Sequence, residues 1–343
     1  MRFWAGLLAI LALGGSALVA SPREAFFGYA WRLVQERYWD RAYHGVDWEE
    51  IGKVYRQRLA EAQNWEQMYQ LLDEMYRELG DDHSAFLSPE KAELYLAGGR
   101  CLRLPFAEAW EDQALSRALA ASEQTATKPG PEPSGSNGSR APAQETTASA
   151  FAPITVEMKD GLVLIKLTNL VEPSAPRLEA AIRLYDAKAK GYILDLRGNP
   201  GGLAYRMAEV AGLFMRGLPW RIVTRGFGVT PQPTLPTPFG KPLTQKPLVV
   251  LVDGGVNSAA EGLAGALQNA GRAYVIGEKT AGNTEVLVPY CFPGGSVALL
   301  ASGVLAPLAG PTWEGRGVTP DLEVKGASAQ LEAAMRYLKN LRK

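Results

Sequence analysis

Ser258 stands where an apolar run, Leu248–Val252, and the turn Asp253-Gly254-Gly255-Val256-Asn257 give way to a helical pattern ending near Ala270. A hydroxyl at a helix start faces amides that lack helical partners, and it lies at the positive end of the dipole. Both features favour a developing oxyanion, so the position suits a nucleophile for acyl chemistry. Serine is equally a preferred N-cap, and position alone leaves the two roles open. A second turn, Gly198-Asn199-Pro200-Gly201-Gly202, follows the apolar stretch Tyr192 to Leu196. Consecutive glycines let backbone approach a ligand closely and aim amides into a cleft. The turn has neither GxxxxGK[ST] nor GxGxxG spacing, which argues against a phosphate-binding loop. An ordinary strand-to-helix turn is the remaining alternative.

Little else in the composition offers chemistry. The 343 residues include two histidines, His44 and His83, and two cysteines, Cys101 and Cys291. No Cys/His cluster has metal-ligand spacing, so neither a metal nor a cofactor is expected. The cysteines are compatible with one disulfide in an oxidising compartment, but nothing in the sequence brings them together. Lys plus Arg equals Asp plus Glu at 36 each, so the basic field that nucleic-acid binding needs is missing.

The elements that must position these residues follow from periodicity. Residues 1–21 have a basic start and an apolar run from Phe3 to Leu13, then small residues, the layout of a signal peptide; an uncleaved membrane anchor is the competing reading. Export to the periplasm or cell envelope follows from either. Residues 22–98 read as a helical N-terminal subdomain. Phe27, Trp31, Val34 and Tyr38 share one helical face, while Asp47 with Glu50 and Asn64 with Gln67 mark two further helix starts. Residues 99–152 read as a linker, its stretch from Ser122 to Ser149 reduced to small and polar residues. Residues 153–326 alternate strands and helices, opening with a hairpin around Asp160-Gly161, and predict an α/β core with covered strands. Residues 327–343 close the chain as a helix.

Taken together, YWDRAYHGVDWEEI, LLDEMYRELGDDHSAFLSPE, DGLVLIKLTNL, KGYILDLRGNPGG, PLVVLVDGGVNSAAEGLAGALQNAGRAYVIGEKTAGN and WEGRGVTPDLEV resemble the C-terminal processing peptidases and their tricorn-like relatives. The resemblance covers about 25–98 and 155–325. It implies a Clp protease/crotonase-like α/β core with an N-terminal helical subdomain, and hydrolysis of polypeptide substrates. It places Ser258 as nucleophile and the amides of Ala259 and Gly201 or Gly202 as the oxyanion hole. Two departures stand out. Many relatives carry a lysine base at the position of Asn283 and an aspartate at that of Asn269. A carboxamide cannot take the serine proton, so the Ser-Lys dyad is broken, and Lys279 reads as a surface residue. The tricorn-like branch instead implies His83 as base and Glu314 as the carboxylate that orients it, with Ser84 as an assistant. The second departure is that no PDZ module is recognisable between Gly99 and Ala152, so tail specificity is not implied. The alternative is a non-catalytic peptide-binding or scaffolding relative in the cell envelope, with an acyl hydrolase as a third option. No oligomeric state follows from the sequence.

Overall fold

The computed structural model describes residues 22–97, 99–104 and 154–341. The N-terminal apolar run and almost all of the interval read as a linker lie outside the described residues. Helices α1 (Pro22–Arg37), α2 (Trp48–Arg58) and α3 (Trp65–Arg77) begin the chain. The caps are those read from the sequence: the Glu50 amide donates to Asp47 and the Gln67 amide to Asn64. Phe26, Leu33, Met68, Leu72 and Met75 turn inward, and the same cluster runs on into Tyr290, Phe292, Ala298 and Leu300. The helices therefore share one core with distant strands. Each fully buried side chain of this size contributes roughly 1.5–3 kcal/mol.

One sheet has the order β11-β8-β7-β4-β3-β2. Strands β2 (Ile154–Lys159) and β3 (Leu162–Leu167) form the expected hairpin, with Asp160 and Gly161 at positive φ. Parallel to β3 run β4 (Gly191–Asp195), β7 (Leu248–Val252), β8 (Tyr274–Gly277) and β11 (Leu322–Glu323). Their side chains alternate between two covers. Tyr192, Leu194, Val250 and Val252 face α5 (Ala175–Tyr185), α6 (Ala204–Phe214) and α7 (Ala259–Asn269). Ile193, Val249 and Leu251 face α8 (Ala327–Asn340).

The strict strand–helix alternation expected over 153–326 does not hold. Strands β5 (Trp220–Thr224), β6 (Gly228–Gln232), β9 (Glu285–Cys291) and β10 (Val297–Pro307) form a second, antiparallel sheet. It also takes β1 (Ala85–Leu87), which follows His83 and leads into α4 (Pro89–Leu96). Along one side of β10, β1 pairs with Val297 to Leu299 and β5 with Gly303 to Pro307. Two groups from the helical part fill the gap between them. The Trp39 amide donates to the Ala301 carbonyl at 3.0 Å, and the Ala301 amide donates to Ser84 Oγ at 3.1 Å.

Cys101 and Cys291 form a disulfide across 190 residues of sequence, beside a bridge between Leu102 and Tyr290. Closing a loop of that length restricts the unfolded chain, an effect of roughly 2–5 kcal/mol. The Cys101→Ser, Cys291→Ser double variant is accordingly expected to lose about that much unfolding free energy in urea titration.

Candidate active site

Ser258 lies between β7 and α7 with φ 54° and ψ −126°. A non-glycine residue held there stores about 1–3 kcal/mol, and its neighbours hold it in place. Its amide donates to the Asn283 carbonyl at 2.8 Å and to Glu261 Oε2 at 3.2 Å, while its carbonyl accepts from the Gly262 amide at 3.1 Å. The Asn257 amide ties the turn to the Asn199 carbonyl at 3.0 Å. Glu261 is fully buried and also accepts from Thr280 Oγ1 at 2.5 Å and from the amides of Gly282 and Asn283 at 2.6 and 2.9 Å. Burial pushes its carboxyl pKa up, and these donors work against that. One carboxylate thus clasps the nucleophile turn to the 280–283 loop.

The glycine turn packs directly on this elbow. At Gly201, φ is +94°, and a Cβ would fall 2.7 Å from Ser258 Cβ and 3.0 Å from the Ala259 nitrogen. Only glycine permits this approach. Gly201→Ala is expected to cost several kcal/mol and to displace Ser258, a loss that thermal unfolding and active-site labelling would both register.

The amides expected to form an oxyanion hole divide. That of Gly201 donates to Asn199 Oδ1 at 2.9 Å and is already committed. Those of Ala259 and Gly202 have no acceptor among the described residues. Leu170 pairs with the neighbours of Gly202, donating to the Gly201 carbonyl at 2.8 Å and accepting from the Leu203 amide at 3.0 Å. In such a ladder Gly202's own amide turns away from Leu170.

His83 follows a turn in which Asp81 Oδ1 accepts from the amides of His83 and Ser84. Its Nδ1 is 3.0 Å from Glu285 Oε2, and the Glu285 side chain is only 4% exposed. The other carboxylate oxygen, Oε1, accepts from Trp39 Nε1 at 2.6 Å. His83 Nε2 has no partner among the described residues. The hydrogen bond to Glu285 raises the imidazole pKa above its ordinary value, and burial opposes that rise.

The carboxylate on His83 is therefore Glu285, and not Glu314 as expected from sequence. Glu314 Oε2 accepts from the amide and the Oγ1 of Thr284. Successive residues of an extended chain point to opposite sides, so Thr284 meets Glu314 while Glu285 meets His83. The missed signal was a single acid opening the otherwise uncharged stretch Glu285–Cys291. Ser84 serves the sheet through Ala301. Asn269 bonds Gly265 of its own helix at 2.8 Å, and Lys279 is exposed.

Two parts of the site meet on one short stretch of chain. Ser258 is bonded to the Asn283 carbonyl and His83 to the side chain of Glu285. Two extended residues span only about 7 Å. Between them the Asn283 side-chain oxygen is buried with no partner among the described residues. That set of groups, an elbow serine, the free amides of Ala259 and Gly202 and a carboxylate-bound imidazole, suits acyl transfer.

Residues 161–324 match the model of peptidase family S41, and residues 21–77 match that of the tricorn protease C1 domain. The chain carries a peptidase family S41 domain. A carboxy-terminal-processing protease of Bartonella bacilliformis is 34% identical over 169 residues, which are 47% of this chain and 38% of that protein. The carboxyl-terminal-processing protease of Synechocystis sp. is 29% identical over 338 residues, 82% of this chain and 78% of that one. The chain thus spans well under half of the first relative and most of the second. The solved photosystem II D1 C-terminal processing protease shares the fold, with a TM-score of 0.63 at 21% identity over 93% of this chain and 98% of that one. The S41 domain contains Ser258, Asn283, Glu285 and Glu314, whereas His83 lies outside both matched stretches.

Proposed function

We propose that this chain is a serine peptidase with Ser258 as nucleophile, His83 as general base and Glu285 as the carboxylate that orients it. The observation that carries this reading is the His83–Glu285 hydrogen bond, placed on the same chain segment that holds the Ser258 turn. Ser258 Oγ attacks the scissile carbonyl carbon and its proton passes to His83 Nε2. Glu285 accepts the Nδ1 proton as a hydrogen bond and balances the imidazolium charge. The amides of Ala259 and Gly202 receive the oxyanion, each donor lowering the barrier by about 3 kcal/mol. The tetrahedral adduct collapses, the C–N bond breaks, and His83 returns the proton to the leaving amine. Water, deprotonated by His83, then hydrolyses the acyl-serine ester.

The substrate in this reading is a polypeptide, consistent with the S41 domain and with relatives named for processing carboxyl termini. The apolar run at the N-terminus and the Cys101–Cys291 disulfide together favour an exported protein in an oxidising compartment. A fluorophosphonate probe tests the chemistry. Labelling of the folded protein, lost in Ser258→Ala and strongly reduced in His83→Ala, is the expected result. No labelling of folded wild type, with peptide capture retained, would overturn it in favour of a non-catalytic peptide-binding relative.

A further inference from the structure

We propose that Trp39 is a positioning residue of this site, its indole N–H fixing Glu285 in the orientation that serves His83. The inference rests on the peptidase reading above. A carboxylate buried to 4% exposure needs donors for both oxygens. His83 Nδ1 occupies Oε2 at 3.0 Å, and Trp39 Nε1 occupies Oε1 at 2.6 Å. With both oxygens held, the carboxylate plane cannot swing, and one oxygen stays aimed at Nδ1.

Trp39 is itself placed by main-chain bonding. Its amide donates to the Ala301 carbonyl at 3.0 Å, and the Ala301 amide donates to Ser84 Oγ at 3.1 Å. One residue of β10 therefore fixes both Trp39 and the residue next to His83. Ala301 pairs in turn with Leu287 on β9, the strand that Glu285 opens. Indole, carboxylate and imidazole are thus referenced to one pair of strands, although Trp39 and Glu285 are 246 residues apart in sequence. The resemblance to known peptidases assigned no role to either residue.

The indole N–H also withdraws charge from Glu285. The other ionisable groups facing the pair are Asp81 and Asp82 toward His83, and Glu314 and Tyr38 toward Glu285. Asp81 and Asp82 add to the rise in the proton affinity of His83. Removing the indole donor leaves more charge on the carboxylate facing His83, so the imidazole binds its proton more tightly.

Trp39→Phe keeps an aromatic ring and deletes the donor. The expected result is a fall in kcat on the order of tenfold with KM unchanged, and an acidic limb of the kcat/KM profile moved to higher pH. Trp31→Phe is the matched control. It removes another indole N–H of the helical core, one that donates to the Trp48 carbonyl at 3.0 Å, and should leave kcat and the profile unchanged. Wild-type labelling by the fluorophosphonate is measured first, and its absence defeats the peptidase reading itself. With wild type active, a Trp39→Phe enzyme of unchanged kcat and pH limb defeats the positioning role. If Trp39→Phe does not fold, the 15N indole resonance of Trp39 in wild type decides. A shift titrating at the midpoint of the acidic limb supports the role, and a resonance flat through that pH range overturns it.

Discussion

Ser258→Ala is expected to lower kcat by about 10⁴- to 10⁶-fold, the largest single effect in the molecule, because the base and the amides have nothing to activate without the hydroxyl. The loss should come without unfolding. Alanine meets the same positive φ that serine does, so the strain at φ 54° persists. The bonds that hold the elbow, from the residue's own amide to Asn283 and Glu261 and from Gly262 to its carbonyl, belong to the main chain. The melting temperature is therefore expected to stay within about 2 °C of wild type. A steady-state assay paired with thermal unfolding separates this outcome from a general collapse of the site. Retained hydrolysis in folded Ser258→Ala would place the nucleophile elsewhere.

Glu285→Gln is the second large effect, expected at about 10³- to 10⁴-fold in kcat. The carboxamide keeps the size of the side chain but cannot balance the imidazolium that forms when His83 takes the serine proton. The pH dependence carries the sign. The hydrogen bond to Glu285 raises the His83 pKa, and His83 acts as base only when neutral, so wild-type activity rises through an acidic limb placed above the ordinary histidine value of about 6.5. Removing the carboxylate removes the first cause of that rise, and the limb should move to lower pH while the plateau falls. Glu314→Gln provides the comparison. Its carboxylate holds Thr284 and only faces Glu285, so the expected effect is about tenfold or less, with the limb moved less than in Glu285→Gln. Reversed magnitudes for the two variants would restore Glu314 to the role that sequence suggests.

How much of this was legible in the sequence depends on how local the determinant is. The strand, glycine turn and helix around Ser258 lie within about twenty consecutive residues, and their apolar run and turn composition mark them directly. The Asp47 and Asn64 caps act over three residues and are equally readable. The second sheet is different in kind. It joins β1 to β10 and β10 to β5, pairings between stretches far apart whose partners no local pattern specifies. The same distance hides Glu285. It meets His83 across 202 residues and opens a strand whose other residues carry no charge. The resemblance to the C-terminal processing peptidases exposes the missing lysine at Asn283, because that position belongs to a short motif. It cannot expose a carboxylate whose partner arrives through tertiary structure, and so the choice fell on Glu314, the acid within a recognisable motif.

The bond pattern around Ala301 bears on when such a chain becomes dangerous to its neighbours. Trp39 and His83 precede the interval 105–153, while Ser258 and Glu285 follow it. Neither half of the polypeptide holds a complete set of groups, and the two are brought into register where Trp39 and Ser84 grip one residue of β10. During synthesis the helical part emerges first and has nothing to act with. The serine elbow, made later, lacks its proposed base until that part has docked. On the proposed peptidase reading, a chain assembled in this order is silent while it is still a substrate itself, and it acquires its activity only once the two halves have docked.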